Sequence, residues 1–151
     1  MGKIDQPDGM LLKNGKSSAS LTWDSSFASS RSADMDKAQA FIDSECIRLM
    51  GKYTPERNRM LIRSATLGTK IGSGHIVYAS PYARYQYYGK LMVSSITGSS
   101  YATHGEKKVL TDKDLKYTKA SARPRWFEVM KTNHGKSILM GAARVAGGKA
   151  K

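Results

Sequence analysis

Three histidines, one cysteine and many scattered serines are the side chains whose types could carry covalent or acid–base chemistry in this chain. A hydrolase triad needs a nucleophile, a base and an orienting acid held close together. The nearest local approach is Gly72-Ser73-Gly74-His75, which lacks the Gly-x-Ser-x-Gly of a nucleophile elbow. It also falls in an expected hairpin turn, where neither a groove nor an oxyanion hole is implied. Gly135-Lys136-Ser137 has the ending of a phosphate-binding loop. That loop needs a glycine five positions earlier, between a strand and a helix, so that backbone N–H groups cradle phosphate. Met130 occupies the position, inside a segment that reads as helix. No two of His75, His104 and His134 have helical ligand spacing, and no carboxylate cluster accompanies them. Asp112-Lys113-Asp114 is too short for a calcium loop. No catalytic, cofactor-binding or metal-ligating residue is assigned, and the expectation is a protein that is not an enzyme and needs no cofactor.

Binding chemistry is better represented. Tyr82, Tyr85, Tyr87 and Tyr88 interleave with Arg84 and Lys90. Aromatic faces beside cations can stack on single-stranded nucleic acid. The same rings can equally pack on a sheet or line a subunit contact. The chain carries 25 Lys and Arg against 12 Asp and Glu, a net charge of +13. The excess is uneven: residues 1–56 hold 7 basic and 8 acidic side chains, and residues 57–151 hold 18 and 4. The densest cluster is Lys107, Lys108, Lys113, Lys116, Lys119, Arg123 and Arg125. Such a cluster is a solvated face, a phosphate contact or a dock for an acidic partner, and spacing does not choose among these.

The elements that must position these residues fit one domain, 1–151, of α+β class. The expected architecture is a small antiparallel sheet of hairpins packed against a long helix in the N-terminal half and a C-terminal helix. Asn14-Gly15 favours a type I′ turn and predicts a hairpin of Met10–Lys13 with Ser18–Trp23. Ser-rich 24–32 reads as a connection. Met35, Ala38, Phe41, Ile42, Cys46, Leu49 and Met50 recur at three and four, predicting a helix over 33–50. Ser32 or Asp34 would cap it and Gly51 would end it. Cys46 lies in that stripe and reads as buried and structural, while Asp43 falls off it. A short helix is expected over 57–64, and a second hairpin over 66–80 around Gly72-Ser73-Gly74. Pro81 and Gly89 bracket a short helix, by the usual polarity of proline at a helix start and glycine past its end. Strands are expected over 90–97 and 106–110, joined by a projecting loop at 98–106, with a helical turn over 112–117. The last helix is expected from Pro124 to about Ala146, with Trp126, Phe127, Met130, His134, Ile138, Ala142 and Val145 on one face. Leu139 and Met140 fall off that face and are candidates for an interface. Gly135 is a weak point in it. Residues 1–9 and 147–151 read as flexible ends. No apolar run is long enough to span a bilayer, and no membrane partner is expected. A single cysteine excludes an intrachain disulfide and suits a reducing compartment.

Several stretches go further. Ser80-Pro81-Tyr82-Ala83-Arg84-Tyr85-Gln86-Tyr87-Tyr88-Gly89-Lys90 resembles the signature of minor capsid proteins of tailed phages and prophages. Pro124-Arg125-Trp126-Phe127-Glu128-Val129-Met130-Lys131, then His134 and Ile138–Ala143, is similar to that family's C-terminal helix. Val109–Leu115 and Ala38–Asp43 resemble its connecting segment and its first long helix. The matches lie in order over about residues 13–148. The residues that carry the signature are Pro81, Tyr82, Ala83, Tyr87, Tyr88, Gly89, Trp126, Phe127 and Glu128. The chain departs from the pattern after Tyr53-Thr54-Pro55, where the family tends to have a Thr-Gly before a Leu and a Ser; here Arg57-Asn58-Arg59-Met60-Leu61 and Ser64 follow, without the glycine. The resemblance implies a structural virion component of the head–tail junction, similar to tail-completion or neck proteins. It implies a homo-oligomeric, sixfold ring between the head connector and the tail, with connector and tail-terminator proteins as partners. Assembly would take place in the bacterial host cytoplasm. Non-specific contact with packaged DNA is compatible with the role, and a small basic nucleic-acid-binding module is the alternative reading.

Overall fold

The structure is a computed structural model and describes residues 4–148. Of the ends expected to be flexible, residues 1–3 and 149–151 lie outside the described residues. The chain is α+β as expected, with eight elements among the described residues: β1 (Met10–Asn14), β2 (Ser17–Leu21), α1 (Phe27–Tyr53), α2 (Met60–Gly68), α3 (Ala83–Tyr88), β3 (Lys90–Ser94), β4 (Lys108–Asp114) and α4 (Trp126–Val145). The strands form two separate antiparallel pairs, β1 with β2 and β3 with β4.

The first hairpin forms one step later than Asn14-Gly15 suggests. Asn14 pairs with Ser17, so Gly15 and Lys16 are the loop. Only Gly15 has positive φ, at 58°. A glycine at the first central position is what a type II′ turn requires, so Gly15 sets the turn and Asn14 joins the strand.

Helix α1 starts six residues before the expected Ala33, because the Ser-rich segment is the helix start and not a connection. The Asp24 carboxylate accepts hydrogen bonds from the Ser26 amide (2.7 Å) and hydroxyl (2.6 Å), and Phe27 N–H bonds Asp24 C=O (3.0 Å). Neither Ser32 nor Asp34 caps it; Ser32 Oγ instead accepts from the Ile4 amide at 3.1 Å. Gly51 does not end the helix. Pro55 does, by forcing Thr54 into an extended conformation (φ −69°, ψ 133°). The buried Thr54 hydroxyl then donates to Met50 C=O at 2.9 Å.

Residues 57–80 depart most from expectation. Helix α2 occupies 60–68 and absorbs what was to be the first strand of a second hairpin. That hairpin does not form, because side chains take the hydrogen bonds a ladder would have made. Thr69 Oγ1 accepts from Val77 N–H at 3.0 Å. Asp43 Oδ2 accepts from Gly72 N–H (2.8 Å) and Gly74 N–H (3.1 Å), and Gln39 Nε2 donates to Asp43 Oδ1 at 2.8 Å. Asp43, expected on the polar side of the first helix, is only 2 % exposed. Residues 69–80 are therefore an irregular strap tied to α1.

Helix α3 ends at Gly89, which takes the left-handed conformation (φ 69°), as the Pro81/Gly89 bracket predicts. β3 stops at Ser94, three residues short of expectation, because Ser94 Oγ accepts the amides of Ile96 (3.1 Å) and Thr97 (2.9 Å) and turns the chain. β4 runs on to Asp114, so the helical turn expected at 112–117 is absent. Lys90 pairs with Asp114 across the sheet, and the Lys90 ammonium meets that carboxylate at 2.6 Å.

Helix α4 passes through Gly135 uninterrupted. It packs on α1, and Gly141 lies so close that an added Cβ would come within 2.5 Å of the Phe41 ring. The core between the helices is Cys46, Met50, Trp126, Met130 and Ile138, flanked by Ile42, Leu49, Leu61 and Ile76. On the expected apolar face of α4, Trp126, Met130, Ile138 and Ala142 are buried, whereas Phe127 and Val145 are each 39 % exposed.

Candidate functional site

The two signature stretches meet. Arg125 N–H donates to Tyr87 C=O at 2.7 Å, joining the start of α4 to the end of α3. The Tyr87 ring stands edge-on to Trp126 at 4.8 Å, and the Tyr78 ring also meets the indole edge-on at 5.4 Å. The Tyr87 hydroxyl donates to Glu128 Oε2 at 2.5 Å. Burial, then the adjacent Glu128 carboxylate, push the Tyr87 hydroxyl far above its ordinary pKa. Gly89 is fixed by more than its φ, since a Cβ there would lie 2.9 Å from Pro124 and 3.1 Å from the Tyr117 hydroxyl. Tyr117 in turn donates to Gln86 C=O at 2.6 Å. Pro81 and the half-buried Ala83 start the helix that carries these contacts. Tyr82 and Tyr88 stay outside, 65 % and 52 % exposed. The signature thus divides into a clasp (Tyr87, Gly89, Trp126, Glu128) and exposed apolar side chains (Tyr82, Tyr88, Phe127).

The seven clustered cations do not share one role. The Lys119 ammonium donates to Gly51 C=O (2.8 Å) at the C-terminal end of α1 and reaches Glu56 at 3.4 Å. There it neutralises the carbonyl end of the helix dipole. Arg123 Nη1 bonds the carbonyls of Ala120 and Ala122, both at 2.8 Å. Lys108 Nζ bonds Ser100 C=O at 2.7 Å within the β3–β4 loop. Lys107, Lys113, Lys116 and Arg125 are exposed and have no ion-pair partner among the described residues. Arg125 also holds a left-handed backbone (φ 49°) at the start of α4.

Leu139 is 65 % exposed and Met140 is half-buried beside it. In the β3–β4 loop, Ile96 and Tyr101 are 81 % and 83 % exposed. The loop is nevertheless organised: Glu106 bonds the Ser94 hydroxyl and accepts from Thr103 N–H at 2.9 Å. A cleft of about 680 Å³ opens between the start of α2 and residues 79–82, with Lys116 and Tyr117 on its rim.

The residues weighed for catalysis are dispersed. Cys46 is buried, and burial followed by the Asp43 and Glu45 charges pushes its thiol up, away from nucleophilic thiolate. His134 is half-buried, with Nε2 3.1 Å from the Tyr53 hydroxyl. His75 and His104 are exposed, and Ser73 Oγ bonds the backbone of His75 and not its ring. Among the described residues no group of three or more His, Cys, Asp or Glu could hold a metal ion. No helix there is long and apolar enough to cross a membrane. Sequence reasoning missed the Asp43 clamp and the α2 cleft; Arg59, left-handed at φ 61°, stands in the segment where the resemblance expects a glycine. Comparison with protein-family models, curated proteins and solved structures finds no match to this chain.

Proposed function

We propose that this chain is a non-enzymatic structural subunit of the head–tail junction of a tailed phage or prophage, acting as a minor capsid or tail-completion protein that works as a ring of copies between the head connector and the tail. Its partners on this reading are the connector and tail-terminator proteins, and its place is the virion, assembled in the bacterial host cytoplasm.

The observation that supports it is the distribution of apolar surface. Nine apolar residues are buried among the described residues, and four of them are alanines: Ala38, Ala65, Ala122 and Ala142. Eighteen large hydrophobic side chains are exposed, from Met10 to Val145. The accessible surface is 11,322 Å². A folded monomer of 16.6 kDa would expose roughly 7,600 Å². A chain that leaves this much surface uncovered has the properties of an assembly subunit, completed by its neighbours. The clasp between the two signature stretches supports the same reading, because it gives those residues a shared structural task.

The test is deletion of the gene and electron microscopy of the particles. Filled heads without tails are expected; tailed, infectious particles would overturn the reading. Leu139→Asp with Met140→Asp should block assembly while the protein stays folded, and normal assembly would remove that face from the interface. The alternative, a nucleic-acid-binding module, is favoured by the four uncommitted cations Lys107, Lys113, Lys116 and Arg125. It requires binding that falls steeply with salt, and no binding at about 50 mM salt would remove it.

A further inference from the structure

Two uncovered surfaces lie at opposite ends of the molecule and complement each other. The first is the β1–β2 hairpin, in which all ten strand residues are exposed. Met10 pairs with Leu21 and Leu12 with Ala19, so these four share one face. Met10, Leu12 and Leu21 are 57–61 % exposed. Just before the hairpin come Asp5 and Asp8, both exposed and without an ion-pair partner among the described residues.

The second is the α2 cleft. Its lining includes the apolar Pro55, Met60, Leu61 and Pro81 together with the cations Arg57 and Lys116. Both cations are exposed and unpaired among the described residues. The one carboxylate at the cleft, Glu56, is already engaged by Arg59 (2.6 Å) and Lys119 (3.4 Å).

A chain cannot satisfy this pairing by itself. The hairpin is anchored at the start of α1, where the Trp23 ring lies tilted against Phe27 at 5.4 Å and the Ile4 amide is bonded to Ser32. The cleft begins at Pro55, just past the other end. The 27 residues of α1 span about 40 Å, and a five-residue strand reaches only about 17 Å. The partner must come from outside.

We propose that the hairpin of one copy docks in the α2 cleft of a second copy. Its Met10/Leu12/Leu21 face covers Met60 and Leu61, and Asp5 and Asp8 meet Arg57 and Lys116. The contact joins unlike surfaces, so repetition in one direction generates a closed ring or an open filament, and reciprocal exchange between two copies would give a two-fold dimer. The surface in excess of a compact monomer, roughly 3,700 Å², falls in the range buried by permanent assemblies. This deepens the ring reading, on which it rests for its biological setting, but it concerns copy-to-copy contact alone. It is tested in solution without virion partners, so its failure is distinguishable from failure of the head–tail role.

The experiment uses the purified full chain. Sedimentation velocity over a concentration series should show association. Asp5→Lys with Asp8→Lys, or Arg57→Glu with Lys116→Glu, should each weaken it at least tenfold while the circular dichroism spectrum and melting temperature are retained. Mixing the two reversed proteins should restore association, because the reversed charges again meet opposite ones. Separately, Leu12→Cys chains mixed with Met60→Cys chains should form a mixed disulfide dimer on mild oxidation, in excess of dimer from either alone. A monomer at every concentration, association unaffected by both reversals, or dimer from Leu12→Cys chains alone would each overturn the proposal. The last would show the hairpin meeting another hairpin, and capture of a foreign segment in place of a second copy would appear as the monomer outcome.

Discussion

Asp43 is the residue on which the 69–80 segment depends, and it admits a graded test. Its two carboxylate oxygens accept three hydrogen bonds: Gly72 N–H at 2.8 Å and Gly74 N–H at 3.1 Å on Oδ2, and Gln39 Nε2 at 2.8 Å on Oδ1. A hydrogen bond to a charged group contributes about 1.5–3 kcal/mol net. Full additivity would give an implausibly large loss for one substitution. Gly74 is exposed and Gly72 half-buried, so both amides regain water when the carboxylate goes. Asp43→Ala should therefore cost about 2–4 kcal/mol, below the fully additive range of about 4.5–9 kcal/mol. In a domain of this size that lowers the melting temperature by roughly 4–16 °C.

Asp43→Asn separates the geometric claim from mere burial. Asparagine keeps one acceptor oxygen, which can face the two glycine amides, and its Nδ2 can donate to a reoriented Gln39 Oε1. The clamp survives with weaker, uncharged bonds, and the cost should be about 1 kcal/mol. Urea midpoints and thermal melts of wild type and both variants measure this ordering directly. Proteolysis should cut within 69–80 faster in Asp43→Ala than in Asp43→Asn. Alanine within about 0.5 kcal/mol of wild type, or asparagine as harmful as alanine, would refute the reasoning.

Three further outcomes follow from the clasp and its surroundings. Gly89→Ala combines a positive φ of 69° with a Cβ 2.9 Å from Pro124 and should destabilise by about 1–3 kcal/mol; a melt unchanged from wild type would contradict that geometry. Burial raises the hydroxyl pKa of Tyr78, Tyr87 and Tyr117 above tyrosine's ordinary 10, so the fold holds these protons longer than the unfolded chain does. Their contribution is complete below the unfolded value and is lost as pH rises above about 10 through the folded values. Tyr87→Phe should flatten the alkaline fall of the urea midpoint, and an unchanged fall would exclude Tyr87 as a cause. Arg125→Gly relieves a left-handed backbone (φ 49°) and should leave stability unchanged or raise it by about 0.5–1 kcal/mol, whereas assembly should weaken if the cation docks on a partner. A destabilised Arg125→Gly protein would show that the side chain, and not the backbone, holds that corner.

Local punctuation carried through to structure where a single residue decides the backbone. Pro81 and Gly89 delimit α3, and the apolar stripe through Cys46 is the buried face of α1, although Gly51 does not end that helix. The same stripe logic misplaced Asp43, because hydrophobic periodicity sorts residues by type, and a carboxylate that accepts amides 29 and 31 residues away leaves no local trace. The hairpin expected over 66–80 failed for the same reason. Its alternation and glycines are real, but Thr69 and Asp43 offer its backbone better partners than a second strand would. The cation cluster was legible as charge and not as geometry: Lys119 and Lys108 sit among free lysines in sequence, yet each is bonded to a main-chain carbonyl. The cleft could not be read at all, since its walls come from three separated stretches, 55–64, 79–86 and 116–118.

What the structure adds to the charge asymmetry is a division of labour along α1. At its C-terminal end the helix is tied down within the chain, although the α2 cleft beside it stays uncovered: Lys119 neutralises the helix terminus, Thr54 closes the last turn, and Trp126 locks α4 to α3. At its N-terminal end the hairpin has no helix to cover its apolar face, and an isolated two-stranded hairpin is marginally stable in water. The two ends must therefore differ in local stability. Amides of α1 around Met50 and of α4 around Met130 should exchange only through global unfolding, and those of β1 and β2 through local opening at far lower cost. Covering the hairpin is then what raises its protection, and binding that acts on one end of a subunit stabilises that end by mass action. On the proposed hairpin-to-cleft contact, the arm would gain order only on a second copy, so the protection of β1 and β2 should rise with protein concentration.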